Sequence, residues 1–415
     1  MEKNIIKKII LENQERIPGL QVIDRIYSFE PGTNYIITGQ RRAGKTYLMY
    51  QLIQRLISEG KAIQHMLYIN FEDERLLEMK ASDLDLVIES YLELFEIKPL
   101  LFFDEIQNID GWQKFGRRLA DNDYTVFITG SNAQMLSHEM ASTLGGRFLV
   151  KEVETLSFPE YLLFNGMTLD NNMEFSSQRF EVQRHFGSWF YFGGFPETIK
   201  FLDKKEYLSN LFQKVFLGDI IGRYQIRNPY AVKLLIKKIA ESTMDEVSFN
   251  RMRHIIASTG VKIGTSTVID YIRYLHEAYL IGSVHNFNAK ITERESKKKY
   301  YFRDTGIVSL FLSEPEAFLL ETVVYNRLST LFPGNVYYIR NNYEVDFYVP
   351  GEVIVQAYFK LTDFSTRTRE ITSLSKTFEK HPVKKLWIIT WSDEELIKNN
   401  DLEIQVIPVW KWLLN

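Results

Sequence analysis

The sequence contains no cysteine in its 415 residues. This absence excludes disulfide bonds and metal sites built from thiolates, and it is compatible with a reducing cytoplasm. No apolar run is long enough to span a bilayer, so no membrane partner is expected. The first 11 residues carry charges within an apolar pattern, which is typical of an amphipathic helix and not of a signal peptide. We therefore expect a cytoplasmic protein.

An excess of charge of one sign is also missing. Lysine and arginine number 50 against 53 aspartate and glutamate residues, which leaves a formal net charge of -3. No global electrostatic field therefore marks a nucleic-acid binder, and any such surface must be local. Hydrophobic residues make up 45% of the chain, which is ample for buried cores. At about 150 residues per domain, the length predicts roughly two to four domains.

A glycine-rich stretch at residues 39–46, GQRRAGKT, is the strongest motif in the chain. It lies between a β-prone apolar run and a helical pattern, and this order is the setting of a phosphate-binding P-loop. Lys45 would reach the β- and γ-phosphates and Thr46 would offer its hydroxyl to Mg²⁺, while the alternative is a chance glycine-rich turn. The residues predicted to contact the nucleotide are Gly39, Gln40, Arg41, Arg42, Ala43, Gly44, Lys45, Thr46 and Tyr47.

Two acidic residues follow a second apolar run at residues 100–103. Continuous apolarity is typical of a strand that is buried on both faces of a parallel sheet. We expect Asp104 to hold Mg²⁺ together with Thr46, and Glu105 to orient and deprotonate the attacking water. The alternative is that the two acids cap the helix that follows.

Polar residues also end the next predicted strand, at residues 125–129. Ligands bind outside the carboxyl ends of strands in open α/β sheets, so Ser131 or Asn132 could sense the γ-phosphate. The alternative is a turn in which Asn132 caps the following helix. A fifth strand is predicted at residues 148–153, directly after Arg147.

These motifs, with LSFPEY at residues 156–161, resemble those of AAA+ and STAND-like ATPases. More specifically, they resemble a prokaryotic family of predicted ATPases with a fused carboxyl-terminal domain of uncertain function. The resemblance implies ATP and Mg²⁺ as ligands and a possible homo-oligomer, although STAND-like relatives can rest as monomers. By position Arg147 matches the family's candidate arginine finger, and it would then stabilise charge on a neighbouring subunit's γ-phosphoryl group. Its alternative role is a structural salt bridge near the sheet edge.

Beyond residue 156 the pattern becomes helical, and the resemblance implies a lid over the nucleotide. Two helices around residues 247–260 and 265–273, separated by a glycine-containing turn, have the form of a helix-turn-helix, with strands for a wing at 280–301. The outward face of the second helix is nearly neutral. The cluster Lys297, Lys298 and Lys299, with Lys290 and Arg294, could contact nucleic-acid phosphates, although a solvated hairpin is the alternative.

The last domain is similar in layout to the PD-(D/E)xK nuclease fold, in which acidic residues and a lysine hold a divalent metal and activate water. Asp346 fits the first acidic position, but Gln356 and Tyr358 stand where the second acid and the lysine should be. A neutral amide and a phenol do not supply those charges. We therefore predict a non-cleaving binding domain, unless Glu321, Glu344 and Asp346 form an alternative site.

The predicted fold is α/β, with an AAA+-type parallel-sheet core at residues 1–155 and a helical lid at 156–230. A winged helix at 231–300 and a restriction-endonuclease-like α/β domain at 301–415 follow. The leading hypothesis for function is an ATPase that depends on Mg²⁺ and whose nucleotide state rearranges these domains. The alternatives are a nucleotide-gated switch with negligible turnover and, less favoured, an active nuclease.

Overall fold

The computed structural model describes residues 1–131, 143–360, 364–399 and 402–415. Two compact units divide the chain, Met1–Thr155 and Leu156–Asn415. Among the residues described, no helix is both long enough and apolar enough to cross a membrane.

The first unit is built on a five-stranded sheet whose strands all run parallel. Its strands are β1 (Asn34–Gly39), β2 (Met66–Asn70), β3 (Leu100–Asp104), β4 (Val126–Gly130) and β5 (Phe148–Val153). Their order across the sheet is β2-β3-β4-β1-β5. The P-loop strand β1 thus lies beside β4, and the predicted parallel α/β sheet is confirmed.

Helices cover both faces of this sheet because its strands are apolar on both sides. Alternate side chains of a strand point to opposite faces. Accordingly Phe103 packs in one hydrophobic cluster and Phe102 in another, each fully buried. The helices of this unit, for which the structure gives full bounds, are α1 (Lys3–Arg16), α2 (Lys45–Ser58), α3 (Asp85–Phe95) and α4 (Trp112–Asp121).

The second unit begins with helices. These are α5 (Phe158–Phe164), α6 (Gln178–Phe192), α7 (Lys204–Lys214) and α8 (Pro229–Glu241), with a π-helical segment at Val215–Gly222. The regular helix α7 ends at Lys214, and π-helical turns follow it.

A small mixed module follows α8. It consists of β6 (Val247–Ser248), α9 (Phe249–Ser258), α10 (Thr265–Glu277), β7 (Ile281–Val284), α11 (Ile291–Ser296) and β8 (Lys297–Phe302). The three strands form an antiparallel sheet in the order β6-β8-β7. The short helix α11 lies between β7 and β8, where the sequence predicted only a wing of strands.

The chain ends in a six-stranded mixed sheet with helices. Helices α12 (Thr305–Val308) and α13 (Glu316–Leu331) precede β9 (Tyr337–Arg340), β10 (Glu344–Val349) and β11 (Val353–Tyr358). After them come α14 (Phe364–Lys380), β12 (Lys385–Thr390), β13 (Glu395–Asn399), β14 (Leu402–Pro408) and α15 (Val409–Leu414). The sheet order is β13-β14-β12-β11-β10-β9. The sequence analysis did not predict strand β13. The domain boundaries proposed within this unit remain predictions.

Candidate active site

The glycine loop connects the end of β1 to the start of α2. Gly39 has φ +139°, and a Cβ built on it would lie 2.0 Å from the carbonyl oxygen of Val153. Gly44 precedes the first helical residue with φ +101°, in the left-handed region. Both positions therefore require glycine, one for space and one for backbone conformation. The loop has the backbone form that a P-loop needs.

The side chain of Lys45 is buried beneath this loop. Its Nζ donates to the carbonyl oxygens of Gly39 at 3.2 Å and Gln40 at 2.9 Å. The same Nζ lies 3.9 Å from Oε1 of Glu105. The ammonium group is thus held close to both the loop and the acidic end of β3. A ligand phosphate would have to replace one or more of these oxygen partners.

Asp104 is fully buried and is surrounded by hydroxyl groups. Its Oδ2 accepts hydrogen bonds from Thr46 Oγ1 at 2.8 Å and from the Tyr68 hydroxyl at 2.7 Å. Its Oδ1 accepts one from Thr129 Oγ1. Burial raises the pKa of Asp104, and the neighbouring charge of Glu105 raises it further. A cation at this carboxylate would offset both effects.

Glu105 is held in a sparsely populated backbone conformation. Its φ of 52° and ψ of 40° fall in the left-handed region, which is uncommon for a residue other than glycine. Its N–H donates to Thr129 Oγ1 at 2.9 Å, and the side-chain amide of Gln107 donates to its carboxylate. The Glu105 side chain does not cap the short helix that follows. Strained residues of this kind are concentrated at functional sites.

The pair of Thr46 and Asp104 suits a magnesium ion. A hydroxyl and a carboxylate supply hard oxygen ligands, and Mg²⁺ is commonly held by one or two such protein groups together with phosphates and water. The hydrogen bond between the two side chains brings these oxygens to 2.8 Å of each other. Among the residues described, no group of three or more acidic or histidine side chains is arranged to hold a metal.

The other predicted nucleotide contacts have varied surroundings. Arg41 pairs with Glu72 at 3.0 Å. Arg42 is exposed with φ 63°, Gln40 and Ala43 are buried, and Tyr47 is half exposed. Asn132 lies outside the described residues.

The predicted arginine finger lies at the start of β5. Arg147 forms an ion pair with Asp121 and donates to the carbonyl oxygen of Gly145 at 3.2 Å. Its side chain is 38% exposed. Within one subunit this is the salt bridge that the sequence left as the alternative, and the role between subunits remains a prediction.

The sequence analysis did not identify two residues that contact this site. Tyr68 donates to Asp104 from β2, and burial raises its pKa, with the charge of Asp104 adding to the effect. Arg25 is buried and its Nη1 donates to the carbonyl oxygens of Ala43 at 2.8 Å and Glu154 at 2.9 Å. Arg25 thus braces the glycine loop against the end of the first unit. Neither residue belongs to a local sequence motif from which its place in the site could have been predicted.

A second group of acidic residues, which the sequence left as an alternative site, lies in the second unit. Lys299 on β8 is fully buried, and its Nζ lies 3.0 Å from Oε1 of Glu344. The same Nζ is 3.7 Å from Oε1 of Glu321 on α13 and 3.7 Å from Oδ1 of Asp346 on β10. The prediction that Lys299 could contact nucleic-acid phosphates was wrong, because its charge is sequestered by these carboxylates.

Two other lysines of the basic cluster also form ion pairs. Lys297 pairs with Glu293 at 3.1 Å and Lys298 with Glu295 at 3.4 Å. On α10, Arg273 pairs with Asp270 at 3.0 Å and with Glu277 at 3.6 Å. The outward face of that helix is therefore neutralised by its own ion pairs, as its sequence indicated.

Comparison with known proteins identifies the family. Residues 32–162 match a family model described as an AAA domain. Over its whole length the chain is 33% identical to an uncharacterized protein of Methanocaldococcus jannaschii, in an alignment of 430 residues that covers 96% of that protein. The chain belongs to the same family as this archaeal protein. The first unit of the chain contains an AAA-type P-loop domain, as predicted.

Other similarities are weaker. An uncharacterized protein of Haemophilus influenzae is 29% identical over 277 residues, which is 66% of this chain and 67% of that protein. Residues 183–316 match a domain of unknown function (DUF8612).

Two solved structures are similar at low identity. A Walker-type ATPase of Pyrococcus abyssi is 13% identical with a TM-score of 0.42, over 75% of this chain and 95% of that one. The Aeropyrum pernix ORC1 protein in complex with DNA is 14% identical with a TM-score of 0.28, over 79% of this chain and 93% of that one. TM-scores this low do not establish a shared fold.

Proposed function

We propose that the AAA domain binds ATP with Mg²⁺ and hydrolyses it. The observation that carries this proposal is the connection from Lys45 through Glu105 to Thr129 and Asp104 at the carboxyl end of β3. An ammonium group, a buried carboxylate with a hydroxyl beside it and a second carboxylate are the parts that phosphoryl transfer to water uses. All of them belong to one compact site in the first unit.

Each residue has a distinct role in the proposed reaction. Lys45 exchanges its bonds to the loop carbonyls for phosphate oxygens and stabilises the charge that develops on the γ-phosphoryl group. Thr46 and Asp104 would hold Mg²⁺, which supplies Lewis-acid neutralisation of phosphate charge. Glu105 accepts the proton of the attacking water as the new bond to phosphorus forms and the bond to ADP breaks. Arg147 is proposed to act on the nucleotide of a neighbouring subunit.

The second unit is proposed to respond to the nucleotide through a helical lid, a winged helix and a nuclease-like module. The order α8-β6-α9-α10-β7-α11-β8 supports the winged helix, and the mixed sheet that follows α13 supports the nuclease-like layout. Nucleic acid is a possible partner of these modules. Incubation of plasmid DNA with the protein and Mg²⁺ tests for cleavage, which we expect to be absent.

The experiment that tests hydrolysis measures phosphate release against the nucleotide content of the purified protein. Steady release in the wild type, lost in Glu105→Gln with binding retained, is the expected result. Stoichiometric trapped ADP with no turnover would instead identify a nucleotide-gated switch. Measuring the mass in solution with a slowly hydrolysed ATP analogue tests self-association and the role of Arg147.

A further inference from the structure

The most unusual charge in the second unit is the ammonium group of Lys299. Its side chain has no exposed surface, and its Nζ lies within 3.7 Å of three separate carboxylates. Removing an ammonium group from water is costly unless opposite charges surround it. The carboxylates of Glu344 and Asp346 supply opposite charge. A fourth contact is the ring of Tyr338, whose centroid is 5.4 Å from Nζ.

Two of the three acids are buried beside this lysine, whereas Glu344 is 36% exposed and also pairs with Arg340 at 3.5 Å. Glu321 is 1% exposed and Asp346 is 15% exposed, and they share a side-chain hydrogen bond. Burial raises the pKa of Glu321 well above its usual range, although the charge of Lys299 lowers it. Burial alone would lower the pKa of Lys299, but the surrounding carboxylates outweigh it and the pKa is raised. The cluster keeps a positive charge at its centre.

The neighbouring Gln356 takes part in a different set of bonds. Its Oε1 accepts from the N–H of Asp346 at 2.8 Å, and its amide group donates to Glu370. The N–H of Ala357 donates to Oδ2 of Asp346 at 3.0 Å. One oxygen of Asp346 is therefore engaged with the backbone, and the other lies on the side of Lys299. Gln356 fixes Asp346 in place and adds no negative charge.

A divalent cation and the ammonium group could not share this position. A metal ion bound to these oxygens would lie about 2.0–2.6 Å from them. It would then stand only a few ångströms from Nζ, with strong repulsion between the two positive charges in a buried setting. Occupation by Lys299 and occupation by metal are therefore mutually exclusive.

We propose that Lys299 is a built-in counter-cation that occupies the cation position between Glu321, Glu344 and Asp346. It joins β8 to α13 and β10 and leaves this acidic site independent of metal. The role is separate from nucleotide hydrolysis in the first unit, so either proposal can fail without the other.

The test is Mn²⁺ binding by the full-length, nucleotide-free protein after treatment with EDTA. Thermal unfolding is recorded with and without Mn²⁺, and bound Mn²⁺ is counted by electron paramagnetic resonance. Wild type, Lys299→Met and the double variant Lys299→Met with Asp346→Asn are compared. Lys298→Met is the matched control, because that lysine is the neighbour on the same strand and pairs only with Glu295 among the ion pairs of the described residues. Any Mn²⁺ that is bound by the wild type but lost in Asp104→Asn is assigned to the site in the first unit.

We expect no Mn²⁺ at Asp346 in the wild type. Lys299→Met should unfold at a lower temperature than Lys298→Met, and Mn²⁺ should restore part of the loss only while Asp346 is present. Three results would overturn the proposal: a wild-type Mn²⁺ site abolished by Asp346→Asn, a Lys299→Met variant as stable as Lys298→Met, or a destabilised variant that ignores Mn²⁺. If Lys299→Met fails to fold while Lys298→Met folds, the counter-ion role is supported. Comparison of Mn²⁺ binding by the wild type and by Asp346→Asn then decides whether the wild-type site binds metal.

Discussion

The two acidic sites of this protein satisfy their buried carboxylates in different ways. Asp104 in the first unit is surrounded by three hydroxyl groups, from Thr46, Tyr68 and Thr129. Asp346 in the second unit faces an ammonium group, that of Lys299 at 3.7 Å. Hydroxyl groups are neutral and leave the negative charge of Asp104 uncompensated, whereas Lys299 compensates the charge of its acids directly.

The difference explains why similar residues suit different roles. A buried carboxylate that lacks a counter-charge gains free energy when a cation arrives, so the Asp104 site is suited to bind Mg²⁺ with a nucleotide. A carboxylate cluster with an internal ammonium group has no such gain. The first site is arranged for a ligand and the second for stability.

The largest effect is expected when the proton acceptor of the first site is removed. Glu105→Gln keeps the size of the side chain, but a neutral amide does not accept the proton from water. Phosphate release should fall by about 100- to 10,000-fold while nucleotide affinity stays within a few-fold. Glu59→Gln, an exposed change at the end of α2, is the control and should leave turnover unchanged. Normal turnover in Glu105→Gln would remove Glu105 from the role of base.

Loss of the counter-charge in the second site should appear as instability. Lys299→Met leaves buried carboxylates without their cation, which typically costs about 3–5 kcal/mol. Chemical denaturation of the variant, beside Lys298→Met, measures the change in the free energy of unfolding. A change below about 1 kcal/mol would mean that the acids do not depend on the lysine.

A smaller effect is expected when Arg25, which holds the glycine loop in place, is replaced. Arg25→Met removes the guanidinium that donates to the carbonyls of Ala43 and Glu154. Losing buried hydrogen bonds should lower stability by about 1–3 kcal/mol and weaken nucleotide binding by roughly tenfold. Titration with a fluorescent nucleotide measures the affinity. Arg55→Met, at an exposed arginine of α2, serves as the control, and equal affinities in the two variants would refute the bracing role.

The smallest effect concerns pH. Burial and, to a lesser extent, the charges of Arg303 and Lys298 together lower the pKa of His276 to about 4. The unfolded chain therefore binds a proton at this residue below about pH 6.5 that the folded chain does not bind until near pH 4. The contribution of His276 to stability should be full above pH 6.5 and should be lost progressively as the pH drops through this range. His276→Gln should flatten the decline in denaturation curves, and an unchanged decline would contradict this assignment.

Local motifs made the first site largely predictable from the sequence. The glycine loop and the adjacent acids are contiguous, so Lys45, Thr46, Asp104 and Glu105 could be named from spacing and pattern. Tyr68 could not be, because it lies 36 residues from Asp104 and has no special neighbours in sequence. Arg25 was missed for the same reason, since one of its carbonyl partners is 129 residues away.

Lys299 shows how a charge run can mislead. Three successive lysines suggested a solvated hairpin or a phosphate contact, but Lys299 is fully buried whereas Lys297 and Lys298 are not. The carboxylates that surround it come from α13 and β10, later in the chain. The sequence analysis named Glu321, Glu344 and Asp346 as an alternative site, but it did not indicate that Lys299 lies among them.

The central claim is that the glycine loop and its acidic neighbours bind and hydrolyse ATP. The most direct measurement is steady-state phosphate release with Mg²⁺ and ATP by the wild type and by Lys45→Ala. We expect turnover in the wild type and a loss of at least about 100-fold in the variant, since Lys45 stabilises charge in the transition state. Equal phosphate release by the two proteins would contradict the account.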